Sequence, residues 1–570
     1  MKQNLKQTAR ERFAAMTLFL LICLPFSLVQ AQTVKVNGRV TDDLNEPMIG
    51  VSIVEKGTAN GCITDIDGNY TLNVKQGATL VYSYIGYVAL ERKAVAGVMN
   101  IILKEDAQAL DEVVVVGYGV QKKSSVTGAI SQVKSEDIQN RSITRAEEAL
   151  QGKTAGVQLV STTSQPGSSP TIRIRGFSSN GTSDPLYVVD GLIVNDLSSI
   201  DPNNIKSMEV LKDAASAAIY GAQAGNGVVL ITTKSGSQGT SSISYDFQYS
   251  INSLARRPEL LNSQEYLTQM KEADPTFTDV NIRELISNGV WDGVSSTDWY
   301  DVAFNASPAS RHTVTFQGAN DKGSYFLSLN NLYDNGIIRE DRDTYKRLSV
   351  MLNADYKIKP WLKVGTTANY ANYTSKAISD GSGGTSYVSM IATVMTLAPY
   401  IADTYPADAL PTQMQAQIAN GFTLLQNANG DYYSCLGTME QVHPMVAIRM
   451  NDKKNTGNSL MGTLYANFTP IKDLVFTTRL GYRIATDNTY THNNLYYGSA
   501  SASNKDRNGV TRTSLSTTYY QWENFVNYNT TLLDTHNISA MLGMSYSQSD
   551  QIYVSAGVDK IAKDNLLYAD

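Results

Sequence analysis

The sequence predicts a mainly β protein that combines a small β-sandwich, an α/β domain and an incomplete transmembrane antiparallel β-barrel. Three successive patterns favour this fold class. Short strands separated by turn residues come first, strands interleaved with short helices follow, and long alternating strands fill the remainder. A chain of 570 residues is also too long for one hydrophobic core, so several domains are expected.

The amino terminus has the form of a secretory signal peptide. A basic start precedes an apolar run over residues 13–29, and Ala31 supplies a small residue for cleavage. A retained membrane anchor is the alternative, and Pro25 and Ser27 argue against it because they interrupt the run. We therefore predict a signal peptide over residues 1–31.

Composition argues against several classes of function. The net charge of −6 makes nucleic acid a poor partner, and the three cysteines are too far apart to predict a disulfide framework. No metal-ligand spacing joins any two of the four histidines, so we predict no catalytic site, no metal and no cofactor. These histidines are His312, His443, His492 and His536.

Residues 32–106 are predicted to form the β-sandwich. Val34 and Val36 alternate with polar residues, and further short apolar runs are separated by turn signals such as Asp67-Gly68. About 70 residues of this kind are enough for a small sandwich.

A run of four valines follows the sandwich, within Leu-Asp-Glu-Val-Val-Val-Val-Gly-Tyr-Gly over residues 110–119. β-branched residues favour an extended chain, and the flanking acids and glycines keep the run short. An extended segment with a free edge can pair with another protein's sheet through backbone hydrogen bonds. A buried strand of a neighbouring domain is the alternative.

Residues 107–236 are predicted to contain this segment and the α/β domain. Thr144 and Glu147 have the spacing of a capping box, and the helix that they open should end before Gly156. Asp213 is expected to cap an alanine-rich helix that stops at Gly221. The predicted strands include residues 207–211 and 228–233.

Residues 237–570 show long alternation typical of a membrane barrel. Leu348, Val350 and Leu352 alternate with Ser349 and Met351, at about ten residues per strand, as expected for lipid on one face and water on the other. A soluble array of β-sandwiches is the competing interpretation. Tight turns that alternate with long polar stretches favour the barrel. These turns are at 359–361, 471–473 and 533–535, and the longest polar stretch covers about 375–457.

Several motifs in this order resemble the SusC/RagA family of TonB-linked outer-membrane transporters. The motifs cover 110–119, 149–157, 172–176, 185–191 and 205–221, and residues 36–41 and 84–87 resemble the carboxypeptidase-regulatory-like domain that precedes many such transporters. One departure is Gln223, where the family usually has an arginine.

The resemblance implies two sets of site residues. It implies a TonB box formed by Asp111, Glu112, Val113, Val114, Val115, Val116, Gly117, Tyr118 and Gly119. It also implies a plug motif formed by Arg173, Arg175, Gly176, Asp190, Gly191, Glu209, Lys212 and Asp213. The charged members of the plug motif are expected either to face a barrel wall as paired charges or to be ordinary surface charge.

The resemblance further implies TonB-dependent import of a nutrient, either a glycan oligosaccharide or a peptide, without enzymatic activity. Its implied partners are TonB, a SusD-like lipoprotein and outer-membrane lipid, and its implied location is the outer membrane of a Gram-negative bacterium with the amino terminus facing the periplasm. A secreted or surface adhesion protein built from β-modules is the alternative, and it would not need the 110–119 segment.

The number of predicted strands is too small to close a barrel of the implied kind. About nine or ten candidate strands follow Ser241, whereas plugged transporters of this type close with about 22 strands. An open edge in lipid is costly. The chain is therefore expected to be part of a longer protein. The alternatives are that a second chain completes the barrel or that the chain is not functional by itself.

Overall fold

The computed structural model describes residues 33–561 apart from internal gaps, so the predicted signal peptide lies outside the described residues. The gaps are residues 43–44, 59, 85–86, 88, 105–112, 117–118, 123–129, 140, 162, 164, 177–182, 237–240, 379–389, 438–440 and 533–535. The chain divides into two compact units. One unit comprises residues 1–114 and 120–126, and the other comprises 115–119 and 127–570.

The first unit contains the predicted β-sandwich. Along one strand Tyr70, Leu72 and Val74 are buried while the residues between them are exposed, which gives each sheet one apolar face. The hydroxyls of Tyr70 and Tyr82 lie 2.8 Å apart inside the core. The two sheets have the orders β4-β1-β7, with β8 also paired to β1, and β3-β2-β5-β6. The strands are β1 (Thr33–Thr41), β2 (Ser52–Glu55), β3 (Gly61–Ile63), β4 (Asn69–Lys75), β5 (Thr79–Ser83), β6 (Leu90–Lys93), β7 (Gly97–Val98) and β8 (Ile101–Ile102).

The valine run forms a strand. β9 (Val113–Val116) pairs with β10 (Gly119–Lys122) as a two-stranded sheet. In the described part of the chain neither strand pairs with any other sheet. The predicted extended conformation is therefore confirmed for these residues.

The α/β domain of the second unit is built on a five-stranded mixed sheet of order β11-β16-β17-β14-β15, beside a two-stranded sheet of β12 and β13. Its apolar core includes Leu150, Ile172, Leu197, Val210 and Val229. The elements are β11 (Ile130–Lys134), α1 (Ser135–Gln139), a 3-10 helix (Ala146–Leu150), β12 (Val157–Val160), β13 (Thr171–Ile174), β14 (Leu186–Val189), β15 (Leu192–Val194), a 3-10 helix (Pro202–Asn204), β16 (Ile205–Leu211), α2 (Ala214–Ala217), a 3-10 helix (Ala218–Ala224) and β17 (Val228–Thr233).

Of two local predictions in this domain, one is wrong and one is confirmed. The expected capping box does not form, because Arg145 precedes the 3-10 helix and Glu147 forms an ion pair with Arg145 instead. The alanine-rich helix begins after Asp213 and ends at Gly221 as predicted, because the backbone of Gly221 is non-helical with a φ of 65°, and a separate helical turn follows it.

A nine-stranded antiparallel sheet, the large sheet, follows in the order β18-β19-β20-β21-β22-β25-β26-β29-β30. Its strands are β18 (Ser242–Asn252), β19 (Ser307–Asn320), β20 (Gly323–Asn335), β21 (Thr344–Lys359), β22 (Leu362–Lys376), β25 (Asn451–Ile471), β26 (Leu474–Asn493), β29 (Gly509–Leu532) and β30 (His536–Val558). Two separate two-stranded sheets lie in the connections, formed by β23 (Thr404–Tyr405) with β24 (Tyr432–Tyr433) and by β27 (Tyr496–Tyr497) with β28 (Ser503–Asn504). The nine strands of the large sheet are longer than the predicted ten residues and reach 24 in β29.

The large sheet exposes its apolar side chains and buries its polar ones. On β21 Leu348 is 48% exposed and Leu352 is 37% exposed, while Arg347 and Ser349 are each only 1% exposed. The buried face packs against the α/β domain. This inverted pattern is the one expected for a sheet with lipid on its outer face, and together with the sandwich and the α/β domain it confirms the predicted fold class.

Three long connections of the large sheet pack together as a loop cluster. Trp299, Val394, Ile401, Met414 and Val442 are buried in its apolar core. The prediction treated 375–457 as a polar stretch, whereas most of it folds around this core. The helices are α3 (Ser263–Ala273), α4 (Asp279–Ser287), α5 (Trp299–Ala303), α6 (Met390–Thr396), α7 (Thr412–Ala419) and α8 (Pro444–Ala447). Within the described residues, all helices are too short or too polar to cross a membrane.

Candidate functional site

The segment over 111–119 is the first part of the candidate site. Its backbone is described for Val113–Val116 and Gly119, whereas Asp111, Glu112, Gly117 and Tyr118 lie outside the described residues. A two-stranded ribbon is only marginally stable by itself. An incoming strand can therefore pair with β9, either at its open edge or by displacing β10.

Arg173, Arg175 and Gly176 lie on and just after β13. Gln158 is the cross-strand neighbour of Arg173 in the ladder with β12, and the amide of Arg175 donates a 2.9 Å hydrogen bond to the carbonyl of Gly156. Arg175 and Gly176 have φ values of 57° and 100°, so the strand ends in a tight left-handed turn. These residues shape a turn of the α/β domain.

Asp190 and Gly191 form the turn between β14 and β15. The Asp190 carboxylate accepts hydrogen bonds from the amide of Thr233 at 3.0 Å and from its hydroxyl at 2.7 Å. Gly191 has a φ of 85°, and a Cβ on this residue would overlap the guanidinium of Arg479 in the large sheet. The side chain of Gln521 donates to the Gly191 carbonyl at 3.0 Å. This turn therefore docks closely against the large sheet.

Glu209, Lys212 and Asp213 lie at the end of β16 and the start of α2. Glu209 is fully buried and accepts a 2.8 Å hydrogen bond from Gln132, and its burial raises the pKa of its carboxyl. Lys212 donates to the carbonyl of Ala155 at 2.6 Å, and Asp213 caps α2. Glu209 is therefore not surface charge, and these three contacts all lie within the α/β domain.

Residues outside the plug motif make further polar contacts between the α/β domain and the large sheet. The guanidinium of Arg347 on β21 pairs with the carboxylate of Asp201 at 2.7 Å, and both side chains are almost completely buried. Arg347 also donates to the carbonyl of Ser198 at 2.9 Å, and Asn369 donates to that of Ser199 at 2.9 Å. The sequence did not predict that these residues make contacts between the domain and the sheet. The alternation around Arg347 indicated only that Arg347 lies on the face opposite to the apolar side chains.

A second buried ion pair lies inside the α/β domain. Arg145 and Glu147 are 2.7 Å apart, and Arg145 donates to the carbonyl of Gly167 at 3.1 Å. Glu147 also accepts from the amide of Leu197 at 3.3 Å. The pair therefore joins three segments that are distant in sequence.

The loop cluster contains several tyrosine side chains. Tyr433 is 5% exposed, and its ring contacts both the imidazole of His443 and the guanidinium of Arg449. Tyr496 and Tyr497 are partly buried against the apolar core. These rings pack within the cluster. Across the residues with assigned structure, no group of three or more His, Cys, Asp or Glu side chains has the geometry of a metal site.

Two parts of the chain match known domain families. Residues 36–115 match the CarboxypepD_reg-like domain, and residues 122–228 match the TonB-dependent Receptor Plug Domain. The α/β domain falls mainly within the second match.

Whole-chain comparison gives related proteins in two bacteria. TonB-dependent receptor SusC of Bacteroides thetaiotaomicron is 34% identical over 488 residues, which are 82% of this chain and 47% of that protein. TonB-dependent receptor P26 of Formosa agariphila is 30% identical over 553 residues, which are 95% of this chain and 51% of that protein. The chain thus spans about half the length of these curated relatives.

Among solved structures, the RagAB peptide importer in its open-open state has a similar fold. The TM-score is 0.66 at 24% identity, over 80% of this chain and 51% of that chain. At this identity the likeness concerns the fold alone.

Proposed function

We propose that this chain, which belongs to the SusC/RagA family of TonB-linked outer-membrane transporters, takes part in TonB-dependent import of a nutrient across the outer membrane of a Gram-negative bacterium. The observation that carries the proposal is the short strand β9, which pairs only with β10 in the described part of the chain and precedes the plug domain. The named relatives are TonB-dependent receptors, which are transport proteins and not enzymes.

In the proposed cycle, residues 111–119 form the TonB box and face the periplasm. The carboxy-terminal domain of TonB pairs with this segment as an added strand, which requires only backbone groups. Force applied through the segment then moves the plug, and no bond of the substrate is made or broken. Residues 107–236 comprise the box and the plug in this proposal, between a sandwich over 32–106 and barrel strands over 237–570.

Polar docking of the plug supports this cycle. The contacts of Arg347, Asn369 and Gln521 with the α/β domain are hydrogen bonds and an ion pair, which water can replace as the domain moves. Arg173, Arg175, Gly176, Asp190, Gly191, Glu209, Lys212 and Asp213 are proposed to keep the plug folded during this movement.

The substrate and the outer partner are inferred from the family. A glycan oligosaccharide or a peptide is proposed as cargo, with a SusD-like lipoprotein that covers the loop cluster from outside. The solved RagAB structure is named as a peptide importer, and SusC is named as a TonB-dependent receptor, so the relatives do not favour one cargo for this chain.

The test is deletion of residues 111–119 from the full-length protein, with growth on an oligosaccharide pool and on a protein digest as sole carbon sources. Growth that depends on the protein should be lost on one of these sources while the amount in the outer membrane is unchanged. An adhesion protein would keep its surface binding and show no growth defect after the deletion, and that result would contradict the proposal.

A further inference from the structure

Two glutamine side chains connect the α/β domain to the rest of the second unit in the same way. The side-chain amide of Gln165 donates to the carbonyl of Ile378 at 3.1 Å and accepts from the backbone N–H of the same residue at 3.0 Å. The side-chain amide of Gln521 donates to the Gly191 carbonyl at 3.0 Å and accepts from the backbone N–H of Ile193 at 3.2 Å. We call the first pairing the outer link and the second the inner link.

The two links lie far apart along the strands of the large sheet. Directly opposed residues lead from Gln521 through Gly481 and Thr463 to Thr367 of β22. Ile378 comes 11 residues after Thr367, just beyond the end of β22. At about 3.3 Å per residue, this separation is about 35 Å along the strand direction. The outer link is therefore at the end of the sheet where the long connections lie.

Residues 165–168 contact three different parts of the molecule. Ile378, the partner of the outer link, packs against the apolar core of the loop cluster. A Cβ on Gly167 would overlap the ring of Tyr345 of β21, so this ring lies directly against the glycine. Arg145 donates a 3.1 Å hydrogen bond to the Gly167 carbonyl. The segment is thereby bound to the loop cluster, to the large sheet and to the remainder of the α/β domain.

The chain on either side of residues 165–168 is short. β12 ends at Val160 and β13 begins at Thr171, and within the described part of the chain these two strands pair only with each other. Only two residues separate Ser168 from Thr171. Because a fully extended chain spans at most about 3.5 Å per residue, β13 can move only a short distance from a segment that stays fixed. A single chain on each side does not prevent rotation.

The two links differ in where they lie and not in the kind of hydrogen bond. In the proposed transport cycle the force enters at the periplasmic face through residues 111–119, whereas the outer link is at the opposite end of the large sheet. The contacts closer to the force, which include the inner link, break first. The outer link is further supported by the packing of Ile378 and Tyr345.

We infer that residues 165–168 are a pivot for the plug. They stay bound to the loop cluster through the outer link while the rest of the α/β domain swings and breaks the inner link. The inference rests on the proposed function, because it requires that the plug moves. It adds that the plug swings about its outer end and does not leave the barrel.

The experiment places one cysteine pair at each link of the full-length protein, in which the cysteines of the described residues are replaced by serine. Gln165→Cys/Ile378→Cys marks the outer link, and Ile193→Cys/Gln521→Cys is the matched pair at the inner link. A short bismaleimide joins each pair in intact cells, and mass spectrometry gives the cross-linked fraction. Uptake from an oligosaccharide pool and from a protein digest is compared with and without the cross-linker.

Only the cross-link at the inner link should block transport. It should lower uptake by about tenfold or more, because a domain that cannot move stops turnover, whereas the cross-link at the outer link should leave uptake within about twofold. Loss of uptake on cross-linking the outer pair would overturn the pivot and leave the proposed function intact. Full uptake after both cross-links would contradict plug movement itself, and the pivot with it.

A second measurement does not depend on the cysteine pairs and remains decisive where they fail to fold. Gln165→Ala removes the outer link, so the plug should be cleaved by protease at least about threefold faster in cells that contain TonB, and at an unchanged rate in cells without TonB. Gln158→Ala, at an exposed position of β12, is the matched control. Equal cleavage of the two alanine variants would overturn the inference.

Discussion

Arg347 and Asp201 form a 2.7 Å ion pair between a strand of the large sheet and the α/β domain, with side chains only 1% and 0% exposed. The two residues are 146 positions apart, and Arg347 also donates to the Ser198 carbonyl. A buried pair of this kind stabilises a docked domain only while both charges are present. These contacts hold the α/β domain in one position against β21.

Arg347→Met should destabilise the docked domain by about 3–5 kcal/mol, because it leaves the Asp201 carboxylate buried without its cation. The double change Arg347→Met/Asp201→Leu should recover most of that loss. Thermal unfolding and protease cleavage of the α/β domain measure both effects. Lys363→Met, which breaks the more exposed Lys363–Asp355 pair, is the control and should cost less than about 1 kcal/mol. Additive effects of the two changes at 347 and 201 would show that the residues are not coupled.

Gly191→Ala should loosen the α/β domain more than Gly176→Ala does. Both glycines have positive φ, at 85° and 100°, so both substitutions carry the same kind of backbone strain. Only the alanine at 191 would also overlap a neighbour, the guanidinium of Arg479, whereas nothing lies within 4 Å at 176. Protease cleavage of the α/β domain compares the two, and equal sensitivity would argue against close docking of this turn.

Asp343, in the connection before β21, should make the surrounding connection less stable as pH rises. Burial, together with the nearby carboxyls of Asp334 and Asp341, raises its pKa from 3.8 to about 7. The folded state therefore binds more protons than the unfolded state between these values, and stability is lost as pH rises through about 7. Asp343→Asn should remove this dependence in thermal unfolding at pH 5 and pH 8, while the exposed Asp408→Asn should leave it unchanged. A pH dependence that persists in Asp343→Asn would contradict the assignment.

His443 should make the loop cluster less stable as pH falls, which is opposite to the pH dependence expected from Asp343. Burial lowers the pKa of its imidazole, and this effect exceeds that of the nearby Asp403, which raises the pKa. The Nδ1 atom accepts a 3.0 Å hydrogen bond from the amide of Met445. Because the folded pKa lies below the ordinary value of 6.5, the stabilisation is present above that pH and is lost as pH falls. His443→Asn can still cap α8 and should abolish the acid sensitivity of the loop cluster, as measured by its unfolding at pH 7.5 and pH 5. If His443→Asn keeps the same acid sensitivity, another group must be its cause.

The large sheet could be predicted because alternation is a local signal. Leu348, Val350 and Leu352 share one face of any strand that contains them, so the exposed apolar face of β21 follows from residue order alone. The predicted number of strands, nine or ten, agrees with the nine that the structure pairs in one sheet. Strand lengths were underestimated, because polar residues beyond the apolar band continue the same hydrogen-bonded ladder.

The loop cluster and the docking contacts could not be predicted. Trp299 lies in one connection and Val394 and Ile401 lie in another, and no repeating pattern of apolar residues links the two. Their joint burial therefore depends on the tertiary fold. Asp201, followed by a proline, is typical of the start of a helical turn, but a charge in a sequence does not identify its partner. The plug motif shows the same limit, since Gly191 contacts the large sheet, whereas Glu209 is buried inside its own domain and the ion pair with Arg347 is made by the unpredicted Asp201.

Cysteine cross-linking in intact cells tests most directly whether β9 pairs as a strand with TonB. The full-length protein would carry Cys62→Ser and Cys435→Ser, with single cysteines at Val113, Val114, Val115 or Val116, against a panel of cysteines along the edge strand of the TonB carboxy-terminal domain. We expect the cross-linked TonB position to shift by one residue for each step along β9, and Val98→Cys, at an exposed position in the sandwich, to give no such series. Cross-links that do not follow this register, or equal cross-linking at position 98, would contradict the pairing of β9 with TonB.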